Sequence, residues 1–163
     1  MSTFELSSPA IAAGGTIGNE QVFNGGGLHG SNLSPPLQWR GAPAGTKSFA
    51  LTVHDPDAPT GSGWWHWTVY DIPATLAQLQ AGAGDASGRN LPANAHQTRN
   101  DFGLAGYGGP CPPPGPAHRY VFTLYALKAE KLDVPPDSTP AMIGFMIHFN
   151  QIGSATFTGL YGR

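Results

Sequence analysis

The pattern of apolar and polar positions along the chain predicts a mainly β protein. Residues 48–54 and 65–70 are runs of apolar, aromatic and β-branched residues typical of strands, and Pro73 ends the second run. Residues 120–127 are apolar at nearly every position, which predicts a strand covered on both faces at the centre of a sheet. Residues 155–161 alternate enough to predict a closing strand.

One longer helix is indicated by its starting residues. Thr139 suits the N-cap position, Pro140 suits the first helical position, and residues 141–151 follow. Apolar side chains occupy more than one face, so this helix is either buried or docked against a second copy of the chain in a homodimer. Residues 75–79 predict a short helical turn, and residues 80–101 predict a long connection without periodicity.

Composition favours a single compact domain over residues 1–163. The 23 glycines and 16 prolines accompany 4 Trp, 5 Tyr and 8 Phe, an aromatic content that distinguishes a loop-rich β protein from a disordered chain. Residues 7–36 are rich in glycine, serine, asparagine and proline and predict loops with short strands. Their glycines fit turns better than a phosphate-binding loop, because no strand–loop–helix pattern surrounds them.

Charge and cysteine content narrow the classes of function. The net charge is −2, from 8 Lys and Arg against 10 Asp and Glu, so the chain has no basic field for nucleic acid or an anionic membrane. The single cysteine, Cys111, excludes an internal disulfide and a cysteine-based zinc site. Residues 1–20 do not resemble an export signal, and no run of about 20 apolar residues predicts a transmembrane segment. We therefore expect a cytoplasmic protein.

The first of two polar motifs directly follows the strand predicted over residues 48–54. Asp55 and Asp57 alternate with prolines that stiffen the backbone, and a hairpin-like return brings His66 towards them. A carboxylate beside an imidazole raises the pKa of the histidine and fixes which ring nitrogen carries a proton. The simpler interpretation is that the aspartates initiate a turn and His66 is structural, and this motif alone favours that interpretation.

A second motif favours a binding pocket over a purely structural role for these residues. It is the loop Gly108-Gly109-Pro110-Cys111-Pro112-Pro113-Pro114-Gly115. This loop has few free backbone dihedrals and small side chains at its start, so a ligand or another segment can approach it closely. His118 and Tyr120 follow it and share one face of the predicted strand, whereas Arg119 lies on the other face. We expect His118 and Tyr120 to point towards whatever the loop encloses, and Arg119 to make structural contacts.

Other chemistries use the same residue types. Two or three histidines with an aspartate could bind zinc or iron, but the spacings HxH and HExxH are absent, so no metal site and no cofactor is predicted. Cys111 near His118 is the candidate for nucleophilic catalysis. It lies between two prolines, however, and is better explained as a packing residue of the loop.

The ordered set of motifs is similar to the signatures of the phosphatidylethanolamine-binding protein family, particularly its bacterial Raf-kinase-inhibitor-like branch. The resemblance runs from about Phe4 to Tyr161. It implies a mainly β protein, with a two-sheet antiparallel fold, a few short peripheral helices and a small pocket for phosphate-like anions or phospholipid headgroups. Matches to the family's pocket residues are Asp55, His66, Gly109, Pro112, Pro113, His118 and Tyr120, with Asp57, Trp65 and Cys111 in secondary positions.

The resemblance and the residues together predict a non-catalytic protein that binds phosphate or a phosphorylated headgroup and regulates a protein partner of unknown identity. His66 and His118 are expected to donate to the ligand oxygens, Tyr120 adds a hydroxyl, and Asp55 orients an imidazole or receives a ligand ammonium group. The alternatives are a small hydrolase that uses Asp55 and His66 as acid and base, and a module that inhibits a kinase or protease. His54 replaces an acidic residue common in the family, and either adds positive charge at the pocket mouth or turns into the sheet.

Overall fold

The fold, taken from a computed structural model that describes residues 3–163, consists of two antiparallel sheets and one α-helix. This confirms the predicted mainly β, two-sheet class. In chain order the elements are β1 (Glu5–Ser7), a short 3₁₀-helix (Asn19–Gln21), β2 (Leu37–Arg40), β3 (Ser48–Asp55), β4 (Trp64–Pro73), β5 (Gln78–Leu79), β6 (His96–Gln97), β7 (His118–Leu127), α1 (Pro140–Asn150) and β8 (Gln151–Tyr161).

The larger sheet has five strands in the order β6-β4-β3-β7-β8, and the smaller has three in the order β1-β2-β5. The main core lies between the two sheets, where side chains such as Trp39 of β2 pack with Phe49 of β3. A second, smaller core on the opposite face of β3 is covered by α1 through Ile143 and Ile147. The long strands are therefore held in a rigid frame, and the loops at their ends are the positions left for a site.

The strand over residues 118–127 lies beside the centre of its sheet. The central strand is β3, whose residues are buried on both faces apart from the half-buried His54. In β7, by contrast, Val121, Thr123 and Tyr125 are only half-buried and alternate with buried residues. The prediction of a strand covered on both faces was therefore wrong, because the second face of β7 carries only partial cover beside the edge strand β8.

The helix α1 begins as predicted. Thr139 is its N-cap, and the Thr139 hydroxyl accepts a hydrogen bond from the backbone N–H of Met142 at 3.2 Å, with Pro140 in the first turn. Its outer face is apolar as well, since Phe145 and Phe149 are 56% and 59% exposed. The helix thus docks by one face only, and homodimer formation through residues 141–151 stays a prediction.

The helical turn predicted over residues 75–79 does not form. Gln78 and Leu79 instead make the short strand β5, which pairs with Gln38 and Leu37 of β2. This edge pairing satisfies backbone groups that an isolated turn would leave to solvent. The connection over residues 80–101 is long, as predicted, and consists of turns apart from β6. Over residues 3–163, no helix combines the length and apolar character that crossing a bilayer requires.

A pocket at the end of the central strands

A cavity of about 290 Å³ lies where β3 ends and where β4 and β7 begin. The hairpin between β3 and β4 forms one side, and the proline-rich loop before β7 forms the other. Its lining is mostly apolar, with a few polar side chains that converge on it, a combination typical of a small-molecule site. The residues that line it are Asp55, Ala58, Pro59, Thr60, Trp64, His66, Phe102, Cys111, Pro112, Pro113, His118 and Tyr120.

Asp55 is held at both carboxylate oxygens. Its Oδ1 accepts the backbone N–H groups of Asp57 at 2.8 Å and Ala58 at 3.1 Å, which is how an aspartate stabilises the turn that follows it. Its Oδ2 accepts a hydrogen bond from Nδ1 of His118 at 2.7 Å. Asp55 is only 3% exposed, so these contacts replace the water that a buried carboxylate loses.

The imidazole that Asp55 orients belongs to His118, although the sequence pointed to His66. The carboxylate can only accept, so Nδ1 of His118 carries a proton and Nε2 is left for the pocket. His118 lies at the start of β7, beside β3, where the antiparallel register brings the two strand ends together. The contact spans 63 residues of sequence and has no local signal.

His66 is buried and neutral. Its Nδ1 donates to the carbonyl oxygen of Gly108 at 2.6 Å, and burial lowers the pKa of the ring from 6.5 to about 4, although the Gly108 carbonyl and the Asp55 charge oppose the shift. The expectation that a neighbouring carboxylate raises the pKa of His66 was wrong. Desolvation of the buried ring outweighs the charge of Asp55, which acts in the opposite direction.

Two donors in the pocket wall have no partner. The Tyr120 hydroxyl and the Trp64 Nε1–H are buried, and neither makes a hydrogen bond to any residue of the described chain. Burial also raises the pKa of Tyr120, so its hydroxyl keeps its proton. A buried polar group without a partner is rare and costs about 1–3 kcal/mol, so both groups point to a ligand.

Trp64 lines the pocket in place of Trp65, which was the residue singled out from the sequence. Successive side chains of a strand point to opposite faces, so Trp64 shares a face with His66. Trp65 lies on the other face, where its ring is 4.1 Å from that of His54. His54 is also hydrogen-bonded to the carbonyl oxygen of Ser62 at 2.8 Å, and so turns away from the pocket. Strand alternation alone is enough to identify Trp64 as the tryptophan that lines the pocket.

Asp57 lies beside the pocket and outside its lining. Its carboxylate makes a two-pronged ion pair with Arg119, at 2.8 Å from Nη2 and 3.0 Å from Nε, and also accepts the Arg119 backbone N–H. These hydrogen bonds lower the pKa of Asp57 from 3.8 to about 2. The pair joins the β3–β4 hairpin to β7, which is the structural contact expected of Arg119, whereas the carboxylate that holds the turn belongs to Asp55.

The proline-rich loop contributes Cys111, Pro112 and Pro113 to the lining, but Gly109 lies behind it. A Cβ atom on Gly109 would lie 2.1 Å from the carbonyl oxygen of Gln21, so glycine is needed there for close packing of two backbones.

Four further lining residues were not identified from the sequence: Ala58, Pro59, Thr60 and Phe102. The first three continue the Asp-Pro turn, whereas Phe102 comes from the long connection, where no pattern marks it.

The described residues, 3–163, include no group of three or more His, Cys, Asp and Glu side chains placed to hold a metal ion. Within the pocket the ionisable set is one carboxylate, two imidazoles, a phenol and a thiol. Hydrogen-bonding groups therefore dominate the chemistry of the site.

Comparison with known proteins assigns the chain and its fold to a family. Residues 7–162 match the family described as phosphatidylethanolamine-binding protein. The chain belongs to this family. The YbcL and YbhB proteins of Escherichia coli strain K12 are 52% and 46% identical to it, over 97% and 96% of this chain and 87% and 99% of their own lengths.

Solved structures of family members have the same fold. The crystal structure of Escherichia coli YbcL, described as a new member of the mammalian PEBP family, superposes with a TM-score of 0.95 at 51% identity over 98% of each chain. A phosphatidylethanolamine-binding protein homologue from Chlamydia trachomatis superposes with a TM-score of 0.83 at 29% identity, over 100% of this chain and 99% of that one. The family resemblance found in the motifs is thus confirmed over nearly the whole chain.

Proposed function

We propose that the pocket binds a phosphate-like oxyanion, the phosphate of a phosphorylated headgroup, without catalysing a reaction. The observation that carries this proposal is the buried hydroxyl of Tyr120, a residue of the cavity lining, which has no hydrogen-bond partner in the described chain. A ligand that brings acceptor oxygens satisfies it. Membership of a family named for phosphatidylethanolamine binding supports the same ligand class.

Each polar residue of the pocket has a distinct part in this proposal. The Tyr120 hydroxyl and the Trp64 Nε1–H donate to ligand oxygens, and a tryptophan N–H can only donate. His118, oriented by Asp55, presents Nε2 to the same ligand. Apolar lining from Pro112, Pro113 and similar residues suits the carbon chain of a headgroup rather than a free hydrated ion.

An ammonium group of the ligand does not bind Asp55 in this proposal. Both of its oxygens already accept hydrogen bonds, from two backbone N–H groups and from His118. A second cation at Oδ2 would have to displace the imidazole. A headgroup amine is therefore expected to point outwards, and affinity is expected to depend on the phosphate.

Titration calorimetry with phosphoethanolamine tests the proposal. Wild-type protein and a His148→Ala variant, altered on the exposed face of α1, should bind one equivalent, and His118→Ala should bind at least about tenfold more weakly. Absence of binding to the wild type, or equal affinity in His118→Ala, would contradict it.

The Asp55–His118 hydrogen bond also fits the second candidate function, a small hydrolase, since a carboxylate that orients an imidazole is a common acid–base arrangement. The nearest thiol, Cys111, makes its hydrogen bond with the Gly25 carbonyl oxygen at 3.8 Å and none with His118. A screen with phosphatase and esterase substrates separates the two functions. Turnover that disappears in His118→Ala would establish the hydrolase.

A further inference from the structure

We propose that the pocket selects the singly charged, protonated form of a phosphate monoester, with the ligand's P–OH donating to Nε2 of His66. This inference rests on the proposed function and specifies its ligand. It follows from the fixed tautomer of one buried histidine and from the charges around the cavity.

The tautomer of His66 is set by the backbone. A carbonyl oxygen can only accept, so the 2.6 Å contact with Gly108 requires the proton to be on Nδ1. The same two residues are joined again by the Gly108 N–H and the His66 carbonyl oxygen at 2.9 Å, which holds the ring in place. In the neutral ring Nε2 is then an acceptor. A ligand atom that faces Nε2 must bring a proton.

Protonation of His66 itself is not an easy alternative. The ring is 3% exposed, and burial lowers its pKa to about 4, so the imidazolium form is disfavoured at neutral pH. A fully ionised monoester would place a bare phosphate oxygen against the lone pair of Nε2. The protonated monoester replaces that repulsion with a hydrogen bond.

The charges around the cavity favour the same form of the ligand. No lysine or arginine is among the lining residues, all of which lie in the described part of the chain. The nearest guanidinium groups are occupied, since Arg119 is paired with Asp57, and Arg163 donates to the carbonyl oxygens of Pro112 and Gly26. A dianion would lose its water without gaining a permanent cation, whereas a monoanion loses less.

The titratable and charged groups that surround His66 are consistent with this assignment. The buried anion among these groups is Asp55, and it is hydrogen-bonded to His118. Tyr120 keeps its proton because burial raises its pKa. The titratable and charged side chains on the elements around the pocket are these: His54 and Asp55 on β3, His118, Arg119 and Tyr120 on β7, Asp57 in the β3–β4 hairpin, and Asp101 and Cys111 in loops.

A pair of matched probes tests the proposal. Methyl phosphate carries a titratable P–OH with a pKa of about 6, whereas methyl sulfate has nearly the same shape, a single negative charge and no proton to donate. At about pH 5.5 methyl phosphate is mostly a monoanion, as methyl sulfate is, and calorimetry should show methyl phosphate binding about tenfold or more tightly. At about pH 8.5, titrations in buffers of different ionisation enthalpy should show methyl phosphate taking up about one more proton on binding than methyl sulfate.

Equal affinities for the two probes, or no difference in proton uptake at the higher pH, would overturn this inference and leave the proposed anion-binding function intact. Failure of methyl phosphate and phosphoethanolamine alike to bind would overturn both. A His66→Gln variant adds a second test, because its amide can turn either an acceptor or a donor to the ligand. The preference for methyl phosphate should shrink in His66→Gln and persist in His148→Gln.

Discussion

Oδ2 of Asp55 lies 2.7 Å from Nδ1 of His118, and this one hydrogen bond joins the end of β3 to the start of β7 within the lining of the pocket. Asp55 also closes the turn that leads into β4 through its other oxygen. The residue therefore shapes the pocket wall and sets the tautomer of a pocket histidine at once. A substitution at this position should separate these two effects.

Asp55→Asn should switch the tautomer of His118. The amide can keep its oxygen on the turn N–H groups, but its NH₂ then faces Nδ1, which must become an acceptor and pass the ring proton to Nε2. Loss of the charge-assisted bond should cost about 1–3 kcal/mol of unfolding free energy. Nitrogen chemical shifts of the labelled ring measure the tautomer, and urea unfolding measures the stability.

Asp57→Asn is the matched control for that change, because Asp57 contacts Arg119 and lies outside the pocket lining. It should leave the His118 tautomer as it is in the wild type. A proton that stays on Nδ1 of His118 in Asp55→Asn would show that the carboxylate does not set the tautomer.

Acidification should destabilise the protein in a window set by His66. Its pKa is 6.5 when unfolded and about 4 when folded, so the unfolded chain binds a proton in this range that the folded chain excludes. Stability from the neutral ring is complete above about pH 6.5 and is lost as the pH falls towards 4, by about 3 kcal/mol in total at roughly 1.4 kcal/mol per unit.

The unfolding free energy of the wild type and of His66→Gln, measured between pH 7.5 and 4.5, isolates this contribution because the other groups titrate in both proteins. The wild type should lose more stability on acidification than the variant. Parallel pH profiles would mean that His66 is not held neutral. The pair of Asp57 and Arg119 adds a separate loss at lower pH, between 3.8 and about 2, where the Asp57 carboxylate becomes protonated.

How far the sequence could predict this structure depends on the range of each interaction. The N-cap of α1 and the strand pattern of β3 involve neighbouring residues, and both were predicted correctly. The central position of β3 and the half-covered face of β7 depend on strand order, which no local pattern carries. The helical turn predicted over residues 75–79 was wrong for the same reason, because pairing of Gln78–Leu79 with β2 decides the conformation of this segment.

Within the pocket, too, local features could be predicted and long-range contacts could not. The Asp-Pro turn and the proline-rich loop could be identified from the residues, and strand alternation would have selected Trp64 over Trp65. The partner of Asp55 could not be predicted, because proximity in sequence favours His66 whereas the sheet register brings His118 within 2.7 Å. The lowered pKa of His66 depends on burial of the ring in the folded chain and has no sequence signal.

Gly109→Ala should destabilise the fold without removing a lining side chain. The added methyl would lie 2.1 Å from the Gln21 carbonyl oxygen and 2.7 Å from the Phe23 nitrogen, and two backbones cannot yield as a side chain can. We expect a loss of about 1–3 kcal/mol or more in chemical unfolding. Gly61→Ala is the control, since nothing lies within 4 Å of a Cβ there, and its effect should stay within about 0.5 kcal/mol. Equal stabilities of the two variants would refute this packing role.

The most direct test of the central claim, that the pocket binds a phosphate-type ligand, compares two tyrosine variants by calorimetry with phosphoethanolamine. Tyr120→Phe removes a hydroxyl that has no partner, whereas Tyr107→Phe removes one that donates to the Gln21 carbonyl oxygen at 2.7 Å outside the pocket lining. Tyr120→Phe should keep wild-type stability and bind about tenfold more weakly, and Tyr107→Phe should lose about 1–2 kcal/mol of stability and bind normally. Unchanged affinity in Tyr120→Phe, or no binding by the wild type, would contradict the claim.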